Sequence, residues 1–131
     1  MSGVDVLSAL YDAWNRQDVD GGVALTHPDV EFHSSGDFPG MSSVYRGREE
    51  MRGVYEDLAG LWERLELVPR EYHELPDGGV LALYTFIGHG RDGITVERDA
   101  AQIVTVEDGL VRSMRTFGSW AEARAAAGLG E

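Results

Sequence analysis

Apolar side chains near the start of the chain recur at steps of three and four: Val4, Leu7, Leu10, Tyr11 and Trp14. That spacing lays them on one face of a helix, with Ser2 placed to cap it. A short second helix follows, capped by Asp18 and carrying Val23, Ala24 and Leu25 on its apolar side. His27-Pro28 ends it, because the residue before a proline is pushed out of the helical region. Residues 30–34 then alternate as a short strand, which sends Phe32 and His33 to opposite faces. Phe32 is expected inside, and His33 outside or at the rim. Met51, Val54, Tyr55, Leu58, Leu61 and Trp62 form another stripe and predict a third helix.

After this helix the period changes. Residues 64–75 read as a strand in which Pro69 marks an edge position or a bulge. Pro76-Asp77-Gly78-Gly79 is a turn by composition, and residues 80–87 are a nearly continuous apolar strand. Residues 88–93 read as a loop in which His89, between two glycines, is solvated. Two long β-branched runs in residues 94–117 meet at Glu107-Asp108-Gly109, a hairpin turn signal. Ser119 and Glu122 make a capping box for a last helix that Gly128 stops. Between the first strand and the third helix, residues 35–47 are rich in Gly, Ser and Pro yet carry Phe38, Met41 and Tyr45. A flap over a cavity mouth and a loop packed on the surface both fit that pattern.

The element order predicts one α+β domain over residues 1–131, a cone-shaped, curved antiparallel sheet wrapped around the N-terminal helices. Such cones often hold a cavity. Composition narrows the function classes. Apolar residues make up 43% and charged residues 26%, which disfavours a disordered chain. No apolar run approaches the roughly 20 residues that span a bilayer. With no signal-peptide pattern at the N-terminus either, the expected location is the cytoplasm, away from membranes. Cysteine is absent, which removes disulfides and thiolate chemistry. All eleven basic residues are arginine, so a lysine Schiff base and a Walker-type phosphate loop are excluded as well. A net charge of −12 opposes a nucleic-acid partner and suits an apolar small molecule. The four histidines lack ligand spacing, so neither a metal site nor a cofactor is expected.

Several strings, in this order and spacing, resemble the SnoaL-like branch of the nuclear transport factor 2-like superfamily. They are Trp14-Asn15-Arg16-Gln17-Asp18-Val19-Asp20, His27-Pro28-Asp29-Val30-Glu31-Phe32-His33, Tyr45-Arg46-Gly47, Val106-Glu107-Asp108-Gly109-Leu110-Val111 and Ala123-Arg124-Ala125-Ala126-Ala127-Gly128-Leu129. The resemblance implies a cone-shaped, cystatin-like fold with an internal pocket, commonly a homodimer through the outer sheet face. It implies no single activity, because the superfamily includes polyketide cyclases, ketosteroid isomerases, limonene-epoxide hydrolases, dehydratases and members without catalysis.

Carried over residue by residue, three of these chemistries, those of the isomerases, epoxide hydrolases and cyclases, each lack a group. An isomerase site needs a tyrosine on the first helix, an aspartate base after the first strand and a protonated aspartate on the hairpin. Those positions fall on Leu10 (with Tyr11 one place late), Ser34, and Gln102 or Ala101. The epoxide-hydrolase pattern needs Arg-x-Asp, but here Arg98 and Asp99 are adjacent and face opposite ways. A SnoaL-type cyclase uses an aspartate where this chain offers Gln102, which cannot titrate.

The hairpin turn decides the register. A two-residue Asp108-Gly109 turn sets Gln102 opposite Arg115. A three-residue turn with a glycine bulge pairs Val106 with Leu110 and sets Gln102 opposite Met114. The second is preferred, since it gathers Arg98, Ala100, Gln102, Val104, Val106, Met114 and Thr116 on one apolar face with a few polar groups. Asp99, Ala101, Ile103, Thr105, Val111, Ser113, Arg115 and Phe117 then form the opposite face, a candidate dimer contact.

The expected ligand-binding set is Tyr11, Trp14, Phe32, Tyr84, Phe86, Arg98, Gln102 and Met114. Gln102 and Tyr84 would hold a carbonyl or a water, and Arg98 would lie near an oxyanion. Cyclisation, isomerisation or hydration of an apolar carbonyl compound fits that set. Ligand binding without chemistry, or a dimeric accessory module with a filled interior, are the alternatives.

Overall fold

The computed structural model describes residues 2–35 and 43–129. Phe38 and Met41, the apolar part of the expected flap, lie outside the described residues. The elements run α1 (Gly3–Asn15), α2 (Val19–Ala24), β1 (Thr26–His33), β2 (Val44–Arg46), α3 (Gly47–Leu61), β3 (Arg64–Glu74), β4 (Val80–His89), β5 (Thr95–Glu107), β6 (Leu110–Phe117) and α4 (Trp120–Ala126). The six strands form one sheet in the order β2-β1-β6-β5-β4-β3. It is a mixed sheet, since β1 runs parallel to β6 while every other neighbouring pair is antiparallel.

Local chemistry explains the helices. The Ser2 hydroxyl accepts from the Asp5 amide while the Asp5 carboxylate accepts from Ser2, a reciprocal cap on α1. The expected stripe goes inward, with Leu7, Leu10, Tyr11 and Trp14 buried and Val4 packed at the edge. At the far end of α1 the Asn15 side chain donates to the Leu67 carbonyl and accepts from the Leu67 amide, each at 2.8 Å. This amide completes the backbone pairing of β3, an edge strand, and pins helix to sheet. Asp18 caps α2 by accepting from Gly21, as its sequence position suggests.

Three strand expectations need correction. β1 begins at Thr26, not at residue 30, and takes up Pro28 in an irregular stretch between Thr26 and Glu31. β2, only three residues long, shows no alternation that a sequence could display, yet it pairs Tyr45 with Phe32. β4 runs through Gly88 and His89, so His89 is a strand residue and bonds Glu66 at 3.1 Å. Gly88 is required because the Trp62 ring lies on it: a Cβ there would meet ring atoms at 2.6–2.8 Å. The Pro69 reading holds on both counts, since β3 is an edge strand with a register shift between Pro69 and Glu71.

The hairpin adopts neither expected register. Asp108 and Gly109 both have positive φ, 55° and 76°, and form a two-residue turn that pairs Glu107 with Leu110. Between Val111 and Ser113 the ladder then shifts, leaving Arg112 as an extra residue, and Gln102 comes to face Thr116. A shift of one residue restores the inner face expected for Gln102, Val104, Met114 and Thr116. It also turns Val111 inward, into the main core, instead of onto the outer face.

Two apolar layers result. The inner one packs α1 and α3 against the concave face through Leu7, Val54, Ala82, Val104 and Met114. On the outer face α4 covers Leu81, Leu83, Ala101 and Phe117 with Ala123, while Trp120 and Ile103 pack alongside. Ser119 caps this helix and Gly128, at φ 78°, follows its end. α4 therefore already occupies part of the surface read as a dimer contact.

Candidate functional site

Strand pairing delivers the central side chains. Tyr84 stands beside Ala100, Ala82 beside Gln102, and Gln102 beside Thr116, all on the concave face under α1. The Tyr11 hydroxyl donates to Gln102 Oε1 at 2.6 Å, and Gln102 Nε2 donates to Thr116 Oγ1 at 3.1 Å. Counting along the chain assigned the helical position to Leu10, but Tyr11 is the residue that reaches the hairpin. Gln102 is only 2% exposed, so this chain satisfies an amide that would otherwise be costly to bury.

Tyr84 differs. It is 4% exposed, its ring tilts against Tyr11 with centroids 5.6 Å apart, and its hydroxyl makes no hydrogen bond to any described residue. Burial pushes the phenol pKa of both tyrosines well above the ordinary value, the neighbouring Tyr84 adding to the effect on Tyr11. Both remain neutral donors at physiological pH. Behind Tyr84, the Trp120 indole N–H of α4 bonds the carbonyls of Tyr84 and Ala100 at 3.1 and 2.9 Å.

A cavity of about 40 Å³ opens beside this group. Trp14, Phe32, Tyr84, Phe86 and Gln102 of the expected set line it, joined by Leu58, Leu67, Ser34, Ser35 and Thr116. Trp14 and Phe32 are in ring contact at 6.4 Å, and Trp62 packs edge-on against Phe86 at 5.7 Å. Ser34 occupies the position where the isomerase pattern would place its base. Among the described residues lining this cavity, Tyr84 is the one titratable group. Tyr11 and Met114 stand behind the wall, in the core. Arg98 is outside the cavity, on the exposed start of β5.

Outward, a small cavity of about 20 Å³ shares Ser35, Tyr84, Phe86 and Thr116 with the inner one and is also lined by Arg98 and Phe117. It adjoins a groove of about 760 Å³ between the end of β1, the end of β6 and α4. Sequence reasoning passed over Ser35, Leu58 and Leu67 as site residues. Thr116 was legible as a member of the inner face, and Leu58 as part of a helical stripe, but nothing in their spacing marks a cavity wall. Among the described residues, the one grouping with metal-ligand spacing is His27, Glu107 and Asp108, at the hairpin turn and at the other end of β5 from Arg98.

A family profile described as the SnoaL-like domain matches residues 7–114. No curated protein matches the chain. Solved structures of the same shape include TerC co-crystallised with polyporic acid, 21% identical with a TM-score of 0.79 over 95% of this chain and 96% of that one. An NTF2-like protein of unknown function from Burkholderia pseudomallei is 19% identical with a TM-score of 0.81, over 97% and 98% of the two chains. RV0760c from Mycobacterium tuberculosis, in complex with estradiol-17beta-hemisuccinate, is 17% identical with a TM-score of 0.79, over 90% and 94%. At these identities the likeness is one of fold. The fold, the element order and the extent of the profile together show that the chain belongs to the SnoaL-like domain family.

Proposed function

We propose that this protein binds an apolar small molecule carrying a carbonyl oxygen, with the carbonyl directed at Tyr84 and Thr116. The observation that carries this reading is Tyr84, a side chain only 4% exposed that lines the cavity wall and whose hydroxyl makes no hydrogen bond to any described residue. A ligand acceptor there would gain a hydrogen bond worth about 0.5–1.5 kcal/mol. Thr116, which accepts from Gln102, still has its own proton to donate. Trp14, Phe32 and Phe86 supply the apolar walls.

The chemistry such a site can perform is limited. Two neutral donors can polarise a carbonyl or hold an oxyanion. Proton abstraction would need a base, and the described lining residues offer none near neutral pH. Binding, with at most electrostatic assistance to a reaction, is therefore favoured over cyclase or isomerase chemistry that depends on a carboxylate. Small molecules accompany TerC and RV0760c, which supports a ligand-binding role for the cone. The inner cavity itself has room for little more than water, so a ring would sit across its mouth, towards the larger groove. That small volume favours a second reading, an interaction module with a filled interior.

Butyrophenone, an aryl ketone, separates the two. Ligand binding predicts that it raises the melting temperature in a concentration-dependent way. Tyr84→Phe should weaken it about 5–10-fold, the value of one hydrogen bond. No stabilisation at millimolar ketone, or equal affinity in Tyr84→Phe, would sink the ligand reading.

A further inference from the structure

The groove outside the cavity differs in charge from the rest of the molecule. The chain carries −12 overall, yet the groove is lined by Arg98 and Arg115 against one carboxylate, Glu122, among the described residues. His33, on its β1 wall, is already bonded to Glu31 at 3.2 Å. Asp99, which lines the small adjoining cavity, accepts from Thr85 at 3.2 Å on the sheet's outer face.

Arg115 is held differently from the five arginines that pair with a carboxylate. Arg16, Arg52, Arg64, Arg112 and Arg124 each pair with a carboxylate. Among the described residues Arg115 has no such partner. Its guanidinium lies over the Phe117 ring, 4.8 Å from the centroid. Stacking of that kind holds the planar group while leaving its N–H edges open, the geometry that receives a carboxylate through two parallel hydrogen bonds. In a chain with twice as many acids as bases, an arginine held this way stands out against a repulsive background.

The groove is also continuous with the pocket. Arg98, Phe117 and Gly118 line both the groove and the small cavity, and that cavity shares Tyr84 and Phe86 with the inner one. Ser35 and Thr116 line all three. A molecule with its carbonyl at Thr116 thus has its outer end in the arginine-lined groove.

We infer that the ligand is an organic acid: its apolar, carbonyl-bearing part lies at the cavity and its carboxylate is received by Arg115, with Arg98 contributing charge of the same sign. This rests on the pocket reading above and adds the charge of the ligand to it.

Three compounds with one skeleton test it by calorimetric titration: 4-oxo-4-phenylbutanoate, its primary amide, and butyrophenone. The acid should bind wild-type protein about tenfold more tightly than the amide, and Arg115→Gln should bring that ratio to about one. Raising salt from about 0.05 to about 0.5 M should weaken the acid and spare the two neutral compounds. Equal affinity of acid and amide, or a ratio that survives Arg115→Gln, overturns the inference while the pocket reading stands. Failure of all three compounds to bind overturns both. Should Arg115→Gln not fold, the wild-type salt series decides alone: an acid whose affinity ignores salt is not held by the arginines.

Discussion

Removing the Tyr11 hydroxyl tests whether the buried polar chain is what fixes Gln102 in the interior. In Tyr11→Phe the ring stays and only the 2.6 Å bond to Gln102 Oε1 is lost. Both residues are nearly inaccessible, at 1% and 2% exposure, so water cannot replace the missing donor. Leaving such an acceptor unpaired costs about 1–3 kcal/mol. For a chain of 131 residues, an unfolding entropy of about 2.1 cal/mol/K per residue gives about 0.28 kcal/mol/K in all. The melting temperature should therefore fall by about 4–11 °C. The double variant Tyr11→Phe/Gln102→Leu removes both polar partners at similar volume, and it should be more stable than the sum of the two single changes by about 1 kcal/mol or more. Urea unfolding of the four proteins completes the cycle. A Tyr11→Phe cost below about 0.5 kcal/mol, or strict additivity in the double variant, would refute the argument that burial makes this bond costly to lose.

Further expectations concern packing, the edge strand and pH. Gly88→Ala brings a Cβ to 2.6–2.8 Å from Trp62 and should cost about 1–3 kcal/mol, with a changed tryptophan emission that reports the displaced ring. Asn15→Ala deletes both bonds to the Leu67 backbone; it should cost about 1–3 kcal/mol and speed amide exchange at Leu67 more than at central strands. Tyr11 and Tyr84 have raised pKa values in the folded state, so the stability they confer is present below their unfolded value of about 10 and is lost as pH rises past it. Absorbance titration near 295 nm should accordingly show these two phenols ionising only together with unfolding; their ionisation in a folded protein at pH 10–11 would contradict the burial argument.

The sequence alone carried the elements whose signals are local. The stripe through Leu7, Leu10 and Trp14, the caps at Ser2, Asp18 and Ser119, and the pause at Pro69 are each set by a few adjacent side chains, and each appears where the pattern puts it. The family strings added the order in which these pieces assemble. Residues of the concave face on alternating strands were legible as a face, which is why Tyr84, Phe86, Gln102 and Thr116 converge on one cavity wall as their parity suggests.

What depended on the tertiary structure was register and enclosure. A bulge at Arg112 cannot be read from a sequence in which both hairpin turns are chemically acceptable, yet that single residue sets Gln102 against Thr116 and turns Val111 into the core. Tyr11 rather than Leu10 meets the hairpin because of how α1 lies on the sheet, a matter of packing and not of counting. The cavity wall contributed by Leu58 and Leu67, and the arginine groove formed where β6 ends beside α4, join residues far apart in the chain. Local propensity acts over a few residues, whereas these contacts exist only once the sheet has curved and closed around its helices. That is why the sequence could name a pocket while the fold had to decide what faces it.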